Sequence, residues 1–405
     1  MPEREPSAAR NIYAFGITSF LNDMASEMAY WVLPAFLVSL GAGPAQLGMI
    51  EGIAESVASF AKLYSGNLAD RISRRKPLVV GGYFVANLVK PLLGLTTSWF
   101  QILLIRFSDR LAKGMRGAPR DVMVAESVGK NQLVLAYGLI QSMDSAGAIA
   151  GPLAALVLLA RYGIRGVFFA AAVPGVLCVV VAALGIKERS RPRTTNNFVT
   201  NDPGAPGRSS TATILATREG APKPKLPRSF YFVLFAVTLF SLGNSSDMFL
   251  VLRAQSVGIP VILAPVLGLV FNLTYTLGSW PAGWLSDRFS RRGIAALGYG
   301  IFAAVYFVFA RAPSTLVIWI AMATYGLYYA LTQPVLKALV VESVGESIRG
   351  RALGIYFFVT SVATLAASLI TGQLWKHSGA PAPFYFSAAI AIIAAALLLL
   401  SPRRV

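Results

Sequence analysis

Long apolar runs recur through this chain at a length and spacing typical of helices that cross a lipid bilayer. A spanning α-helix needs about 20 mostly apolar residues. Twelve segments meet that description, and we number them spans 1 to 12. They are 11–40, 45–68, 77–97, 99–120, 132–160, 165–186, 229–252, 261–285, 293–311, 313–340, 350–374 and 382–401. The predicted fold class is therefore an all-α polytopic membrane protein with twelve transmembrane helices.

The charge balance agrees with lipid as the surroundings. Only 13% of the residues are charged, against about 25% in a soluble domain, so water alone would leave too much apolar surface uncovered. The formal net charge of +18 raises the question of nucleic acid as a partner. The basic residues, however, fall in short clusters between apolar runs, which is the positive-inside pattern of membrane proteins. We expect a lipid bilayer and no nucleic acid as partners.

The basic loops also predict an orientation. Clusters lie at 71–76, 288–292 and 349–351, whereas the connections 41–44 and 96–99 carry no charge. With an even number of spans, both termini would lie in the cytoplasm of a bacterial inner membrane. The first ten residues are polar and show no cleavable signal peptide, so span 1 is expected to be a permanent helix. We expect the protein to be a monomer.

The chain repeats itself once. GNLADRISRR at 66–75 matches GWLSDRFSRR at 283–292, an offset of 217, and ESVG at 126–129 matches ESVG at 342–345, an offset of 216. Two matches with nearly one offset indicate two pseudo-symmetric six-helix bundles, 1–186 and 229–405. Between them, 187–228 is basic and rich in proline and small residues, which predicts a flexible cytoplasmic linker. A solvated tether is the expected role, and a regulatory loop is the alternative.

The segment 66–76 resembles the G-x-L-[AS]-D-R-x-G-R-[RK]-[RK] signature of the major facilitator superfamily, with Ser73 in place of its second glycine. The resemblance covers the whole chain and implies the fold of that family, a small-molecule substrate, secondary transport without a cofactor, and no enzymatic activity. In the family the aspartate is a latch that forms in one conformation and breaks in the other. The resemblance places the latch at Gly66, Asp70 and Arg71, with a weaker copy at Asp287 and Arg288.

Span 5 carries a second family resemblance. Gly138, Gly147, Gly151 and Pro152 have the spacing of the antiporter motif G-x8-G-x3-G-P-x2-G-G, although its closing glycines are absent. In the family this motif accompanies export by antiport. The alternative is that small residues here only allow close helix packing.

Charged residues inside spans are costly and usually functional, and the first half concentrates them. Span 1 holds Asp23 and Glu27 on one face, and span 4 holds Arg106, Asp109 and Arg110. At about 1.5 Å per residue from the cytoplasmic side, the acids lie about 18 and 24 Å deep and the arginines about 22 and 16 Å. Equal depths predict two pairs, Asp23 with Arg110 and Glu27 with Arg106, on the wall of a central cavity.

Such a cluster can couple protons to transport, because a carboxylate that loses its cationic partner in a dry site tends to take up a proton. Asp23 and Glu27 are the first candidates, and Asp144 on span 5 is the third. The alternative is a static ion-pair network. Glu51 is expected near the outer surface, and no partner is predicted for Lys90. No ATP-binding loop, metal constellation or nucleophile–base pair appears in the sequence.

The second half is poor in deep charges and offers aromatic and amide groups instead. The cavity candidates there are Asn272, Tyr275, Tyr325 and Gln333, which suit an amphiphilic organic solute, although aromatic residues also fill helix bundles. The sequence favours a proton-coupled exporter. The alternatives are a proton symporter importing an organic anion, metabolite or metal chelate held by Arg106 and Arg110, and a membrane sensor or scaffold that does not transport.

Overall fold

The computed structural model describes residues 6–72, 74–128, 132–188, 226–344 and 349–400, and the regular structure in this part of the chain is helical. In the first half, span 1 is Pro6–Tyr30 followed by Leu33–Ser39, and span 2 is Pro44–Arg71. Span 3 is Lys76–Val89 with the 3₁₀ turn Pro91–Leu95, and span 4 is Trp99–Ser127. Spans 5 and 6 are formed by Leu133–Ala170 and Ala172–Gly185.

In the second half, span 7 is Arg228–Gly243 followed by Met248–Ser256, and the 3₁₀ turn Val261–Leu263 leads into span 8, Ala264–Arg288. Span 9 is Arg291–Arg311, span 10 is Thr315–Glu342, span 11 is Arg349–Ser378 and span 12 is Ala382–Leu400. Most of the linker predicted at 187–228 falls outside the described residues.

Breaks divide some of the predicted continuous spans, and a bend at one glycine joins two of the spans. Spans 5 and 6 join at Gly163, whose φ of 66° lies in the left-handed region that glycine adopts at low cost. Span 1 is broken after Tyr30, and span 7 is broken between Gly243 and Met248. Transporters commonly place binding sites at such discontinuous helices, because the break leaves backbone groups without helical partners.

Eight stretches of the described helices are long and apolar enough to cross a membrane. They contain nine of the predicted spans, because the single stretch Leu135–Gly185 holds spans 5 and 6. Spans 1, 2 and 4 are not among them, and these are the spans that carry most of the internal acids and arginines. The charges that lower their hydropathy are therefore the same residues that build the site described below.

The helices pack in a pattern that repeats between the halves. Span 1 contacts spans 5 and 6, span 2 contacts span 4, and spans 3 and 6 contact each other. The equivalent pairs, span 7 with 11 and 12, 8 with 10, and 9 with 12, are also in contact. The halves meet through span 2 against span 11 and span 5 against span 8.

The end of the bundle where spans 1 and 2 connect, which we call the far end, is tightly closed. A Cβ on Gly48 would overlap the Ser368 carbonyl oxygen, and a Cβ on Gly372 would lie 2.7 Å from the Pro44 carbonyl oxygen. Only glycine lets two backbones approach this closely. We call the opposite end, where span 6 ends and span 7 begins, the linker end.

Candidate functional site

Close contact between spans 1 and 5 sets the position of three acids. A Cβ on Gly147 would overlap the Phe20 carbonyl oxygen, and one on Gly151 would lie 2.8 Å from the Glu27 Cβ. These two glycines bring span 5 against the face of span 1 that carries Glu27. The same contact brings Asp144 of span 5 beside span 1, where Ser19 Oγ donates to its Oδ1 at 2.8 Å.

The three acids are held by neutral donors. Asn22 Nδ2 donates to Asp23 Oδ1 at 3.1 Å, and Trp31 Nε1 donates to Glu27 Oε2 at 2.7 Å. The Asp144 carboxyl lies within hydrogen-bonding reach of Asp23. Within the described residues, none of the three acids forms an ion pair with lysine or arginine.

The arginines of span 4 pair with span 2 and not with span 1. Arg106 binds Glu51 Oε1 through Nε at 2.9 Å and Nη2 at 2.6 Å, with 7% and 1% of the two residues exposed. Arg110 Nη2 lies 3.1 Å from Glu55 Oε1. The predicted pairs, Asp23 with Arg110 and Glu27 with Arg106, are wrong, as is the placing of Glu51 near the outer surface. Equal depth fixes a level in the membrane but not a direction around the helix, and span 2 packs directly against span 4.

Asp109 forms a buried network with Lys90, for which no partner was predicted. Lys90 Nζ lies 3.7 Å from Asp109 Oδ1, and Arg106 Nη1 lies 3.8 Å from Asp109 Oδ2. Lys90 also donates to Asn87 Oδ1 at 3.2 Å and to Asn22 Oδ1 at 3.5 Å. Two cations and two acids, counting Glu51, thus balance one another, which is the usual condition for burying charge.

A polar cleft runs along this wall. One cavity is lined by Asp23, Glu27, Lys90, Arg106, Asp109 and Arg110, among others. A second, larger cavity extends toward the linker end and includes Asp144. Both are lined by Asp23, Arg110 and Lys113, so they adjoin. The structure therefore brings the predicted charged residues of spans 1, 4 and 5 together in one cleft.

The breaks in spans 1 and 7 meet at the centre of the molecule. Tyr30 Oη lies 3.5 Å from Ser246 Oγ, and the two residues are 216 positions apart, which is the repeat offset. Residues that are equivalent in the repeat and touch each other must lie near the axis that relates the halves. Ser246 also donates to Glu51 Oε2 at 3.2 Å, so the buried network reaches across to the second half.

The wall formed by the second half is aromatic around one acid, Asp247. Tyr325 Oη donates to Asp247 Oδ1 at 2.6 Å, and Tyr329 Oη donates to Oδ2 at 3.2 Å. The Tyr275 and Tyr329 rings lie 5.9 Å apart at 75°. The sequence singled out Tyr275 and Tyr325 but assigned no role to Asp247, although an acid inside an otherwise apolar span was a usable signal.

The two predicted amide residues differ in their placement. Asn272 is 7% exposed, and its Nδ2 donates to the Ala148 carbonyl oxygen of span 5 at 3.0 Å, so it links the halves beside the acids. Gln333 is exposed, and within the described residues it makes no side-chain hydrogen bond.

The glycine motifs are only partly used for packing. Gly147 and Gly151 are contact points, and Pro152 is buried, but a Cβ on Gly138 would meet nothing within 4 Å. A Cβ on Gly66 would lie 4.0 Å from Ala118 Cβ, an ordinary distance, so no close helix approach depends on Gly66.

The side chains of three predicted latch residues, Asp70, Arg71 and Asp287, lie outside the described part of the structure. Arg288 is exposed, and its guanidinium lies 3.9 Å from the Trp284 ring centroid. Nearby, Arg75 pairs with Glu126 at 3.1 Å, and Arg291 pairs with Glu342, which is the counterpart of Glu126 at the 216-residue offset. Each pair joins the two repeated motifs of its half, and sequence reasoning missed this signal.

Comparison with known proteins places these features in a family. The sequence profile described as Major Facilitator Superfamily matches residues 15–252 and 230–405. An uncharacterised MFS-type transporter of Methanocaldococcus jannaschii is 33% identical over 405 residues, covering 98% of this chain and 96% of that protein. The multidrug resistance protein MdtG of Escherichia fergusonii is 25% identical over 396 residues, covering 95% and 92%.

Solved structures show the same fold at low sequence identity. A bacterial homologue of the human lysosomal transporter Spinster, in an inward-facing and unoccupied conformation, has a TM-score of 0.75 at 16% identity and covers 98% of both chains. A D-xylose–proton symporter has a TM-score of 0.71 at 14% identity and also covers 98% of both chains.

Proposed function

Because this chain belongs to the major facilitator superfamily, and is therefore a secondary transporter of small molecules and not an enzyme, we propose that it exports an amphiphilic organic solute in exchange for protons. The exchange works by alternating access: the two six-helix bundles open the central cleft to one side of the membrane and then to the other. The observation that carries the proposal is the carboxyl pair Asp23 and Asp144, which spans 1 and 5 hold together in the cleft.

This pair is suited to carrying a proton. Two carboxyl groups within hydrogen-bonding reach repel each other when both are ionised, so the pair is most stable with one proton between them. Spans 1 and 5 supply one group each, so a small shift between these helices would separate the carboxyls and release that proton. Glu27, one turn beyond Asp23 and held only by neutral donors within the described residues, is the further carrier.

Export is favoured over import by two features. Gly147 and Gly151, the packed part of the antiporter-like motif, lie beside the proposed proton carriers. The MdtG relative is named a multidrug resistance protein.

The contacts of the arginines weigh against the alternative, a symporter that clamps an organic anion. Arg106 is bound by Glu51 through two nitrogens, and Arg110 is paired with Glu55. An anion would have to displace the buried Glu51 carboxylate from Arg106, which leaves that carboxylate uncompensated. The paired arginines are better suited to positioning span 4 against span 2.

The proposal is tested in proteoliposomes loaded with ethidium, an amphiphilic dye whose release is followed by fluorescence. A pH gradient that is acidic outside the vesicles should accelerate release by the unchanged protein, because protons moving inward drive the dye outward. Asp144→Asn or Asp23→Asn should remove that acceleration, because an amide cannot replace the shared proton. Folding of both variants is checked by their melting temperatures in detergent.

The matched control is Glu342→Gln, which neutralises a half-exposed carboxylate at the linker end, outside the cleft. This control should keep its response to the gradient. Gradient-dependent release that persists in the Asp23→Asn, Asp144→Asn double variant, or release by the unchanged protein that ignores the gradient, would overturn proton antiport.

A further inference from the structure

We propose that the second half holds the solute through a cation site, formed by Asp247 inside a cage of aromatic rings, and that the transported solutes are therefore organic cations. The proposal deepens the proposed function, since it names the chemical class of solute for the same central cleft. It concerns equilibrium binding and is independent of how protons are coupled.

The Asp247 carboxylate is held in a fixed position by tyrosine hydroxyls. Tyr325 donates to Oδ1 at 2.6 Å, and Tyr329 donates to Oδ1 at 3.4 Å and to Oδ2 at 3.2 Å. Hydroxyl donors stabilise the negative charge but do not neutralise it. Within the described residues, no lysine or arginine pairs with Asp247. A charge at this depth is costly without a counter-charge, so a ligand cation would complete the site.

The rings around the acid present the surfaces that organic cations prefer. Phe271 lies 5.0 Å from Tyr329 at 84°, and Tyr325 lies 5.4 Å from Tyr329 at 71°. Tyr275 lies 5.9 Å from Tyr329. Tyr325 and Tyr329 contact Asp247 through their hydroxyls, and Phe271 and Tyr275 pack on the Tyr329 ring. The acid therefore lies beside a cluster of aromatic rings, whose π faces attract cations.

The cage borders the central space of the molecule. Tyr30, Tyr275 and Tyr329 are only partly buried, as is Asp247 itself. Tyr30 lines the charged cavity of the first half and lies 3.5 Å from Ser246, the neighbour of Asp247. Through Tyr30 and Ser246, the charged cavity of the first half therefore adjoins the break in span 7 that carries Asp247.

An unused acceptor next to the cage supports a ligand that carries positive charge. Asn244 Nδ2 donates to Tyr328 Oη at 3.3 Å, whereas Asn244 Oδ1 is buried without a hydrogen-bond partner among the described residues. Asn244 and Asp247 flank the same break in span 7. The break thus supplies the Asp247 carboxylate and the Asn244 side-chain amide oxygen, and both oxygens favour a hydrogen-bond donor or a cation.

The geometry selects an organic cation over a metal ion. Calcium and magnesium need about six oxygen ligands, and this site offers a single carboxylate among carbon surfaces. A weakly hydrated organic cation loses little on leaving water and gains from the rings.

The test is equilibrium binding to purified protein in detergent at one fixed pH, with tetraphenylphosphonium as the probe and tetraphenylborate as an anion of the same shape. The unchanged protein should bind the phosphonium at least tenfold more tightly than the borate. Asp247→Asn should weaken phosphonium binding at least tenfold and leave borate binding unchanged or tighter. This variant preserves the acceptor oxygen for Tyr325, so its fold should survive.

Two further variants separate the rings from the hydroxyls. Tyr329→Phe keeps the ring and should change phosphonium affinity less than about threefold, whereas Tyr329→Leu removes the ring and should weaken it about tenfold. Ile320→Ala, at an exposed position of the same helix, is the matched control. Equal affinity for the two probes, or an Asp247→Asn variant with unchanged phosphonium affinity, overturns the cation site.

The outcomes distinguish this inference from the proposed function. Cation-selective binding that depends on Asp247, together with flux indifferent to the pH gradient, would uphold the solute class and defeat proton antiport. Gradient-driven flux of a neutral or anionic solute, without selective phosphonium binding, would do the reverse.

Discussion

Arg106 shows how a single buried residue can organise this transporter. It binds Glu51 on span 2 and approaches Asp109 on its own helix, and only 7% of it is exposed. Glu51 in turn accepts from Ser246 across the interface. Removing the guanidinium would leave Glu51 without a cation in a dry environment and Asp109 with Lys90 alone, which is far more costly than losing a surface pair.

We therefore expect Arg106→Leu to destabilise the fold by about 3–5 kcal/mol. The matched control is Arg110→Leu, one turn along the same helix, whose partner Glu55 has 42% of its side chain exposed and can be solvated. Thermal unfolding in detergent should show a clearly larger loss for Arg106→Leu. The double variant Arg106→Leu, Glu51→Leu should recover part of it, and equal losses in both single variants would contradict this account.

At the scale of helices, the contact between spans 1 and 5 sets where the proton-carrying groups lie. Gly147 and Gly151 allow backbone to meet backbone, and Asp23, Glu27 and Asp144 lie around that contact. The third motif glycine, Gly138, has open space where a side chain would be. Gly147 is therefore required for close packing, whereas Gly138 of the same motif is not.

This difference predicts opposite effects for one substitution at two sites. Gly147→Ala would push a methyl group into the Phe20 carbonyl oxygen and should destabilise the protein by about 1–3 kcal/mol. Gly138→Ala meets no neighbour, and the better helix propensity of alanine should stabilise the helix by up to about 1 kcal/mol. Melting temperatures of the two variants measure this, and a Gly147→Ala protein as stable as Gly138→Ala would refute the contact.

For the whole molecule, the repeat dictates a symmetric pair of interfaces. Span 2 meets span 11 and span 5 meets span 8, and Tyr30 and Ser246 meet at the axis between them. In the conformation described, Gly48 and Gly52 pack directly on span 11 and close the far end. Alternating access requires that this closure open during each cycle.

A disulfide across the closure should therefore stop transport. A Cβ on Gly52 would lie 3.4 Å from Ser368 Cβ, close to the spacing that a disulfide needs. In a Cys178→Ser background, which removes the chain's one cysteine, Gly52→Cys with Ser368→Cys should lose solute flux on oxidation and regain it with a reductant. Each single-cysteine protein should be indifferent to oxidant, and undiminished flux through the cross-linked protein would show that the far end need not open.

The sequence by itself determined the class of protein and the composition of its site. Apolar runs of spanning length, basic loops and one internal repeat predicted a twelve-span bundle in two halves, and the major facilitator fold is confirmed. The cleft contains the acids and arginines that the sequence selected in spans 1, 4 and 5, because charge inside an apolar run has few stable places other than a bundle interior.

Only the tertiary structure decided which charge meets which. Depth along a helix can be counted from the sequence, but the rotation of each helix is set by its packing against neighbours, so Arg106 turns to Glu51 and leaves Glu27 to Trp31. Packing likewise decides the neighbours of Asp247 at the break in span 7, which are Tyr325 and Tyr329 of span 10. Local sequence specifies what each span can bury, and the assembled bundle specifies what faces it.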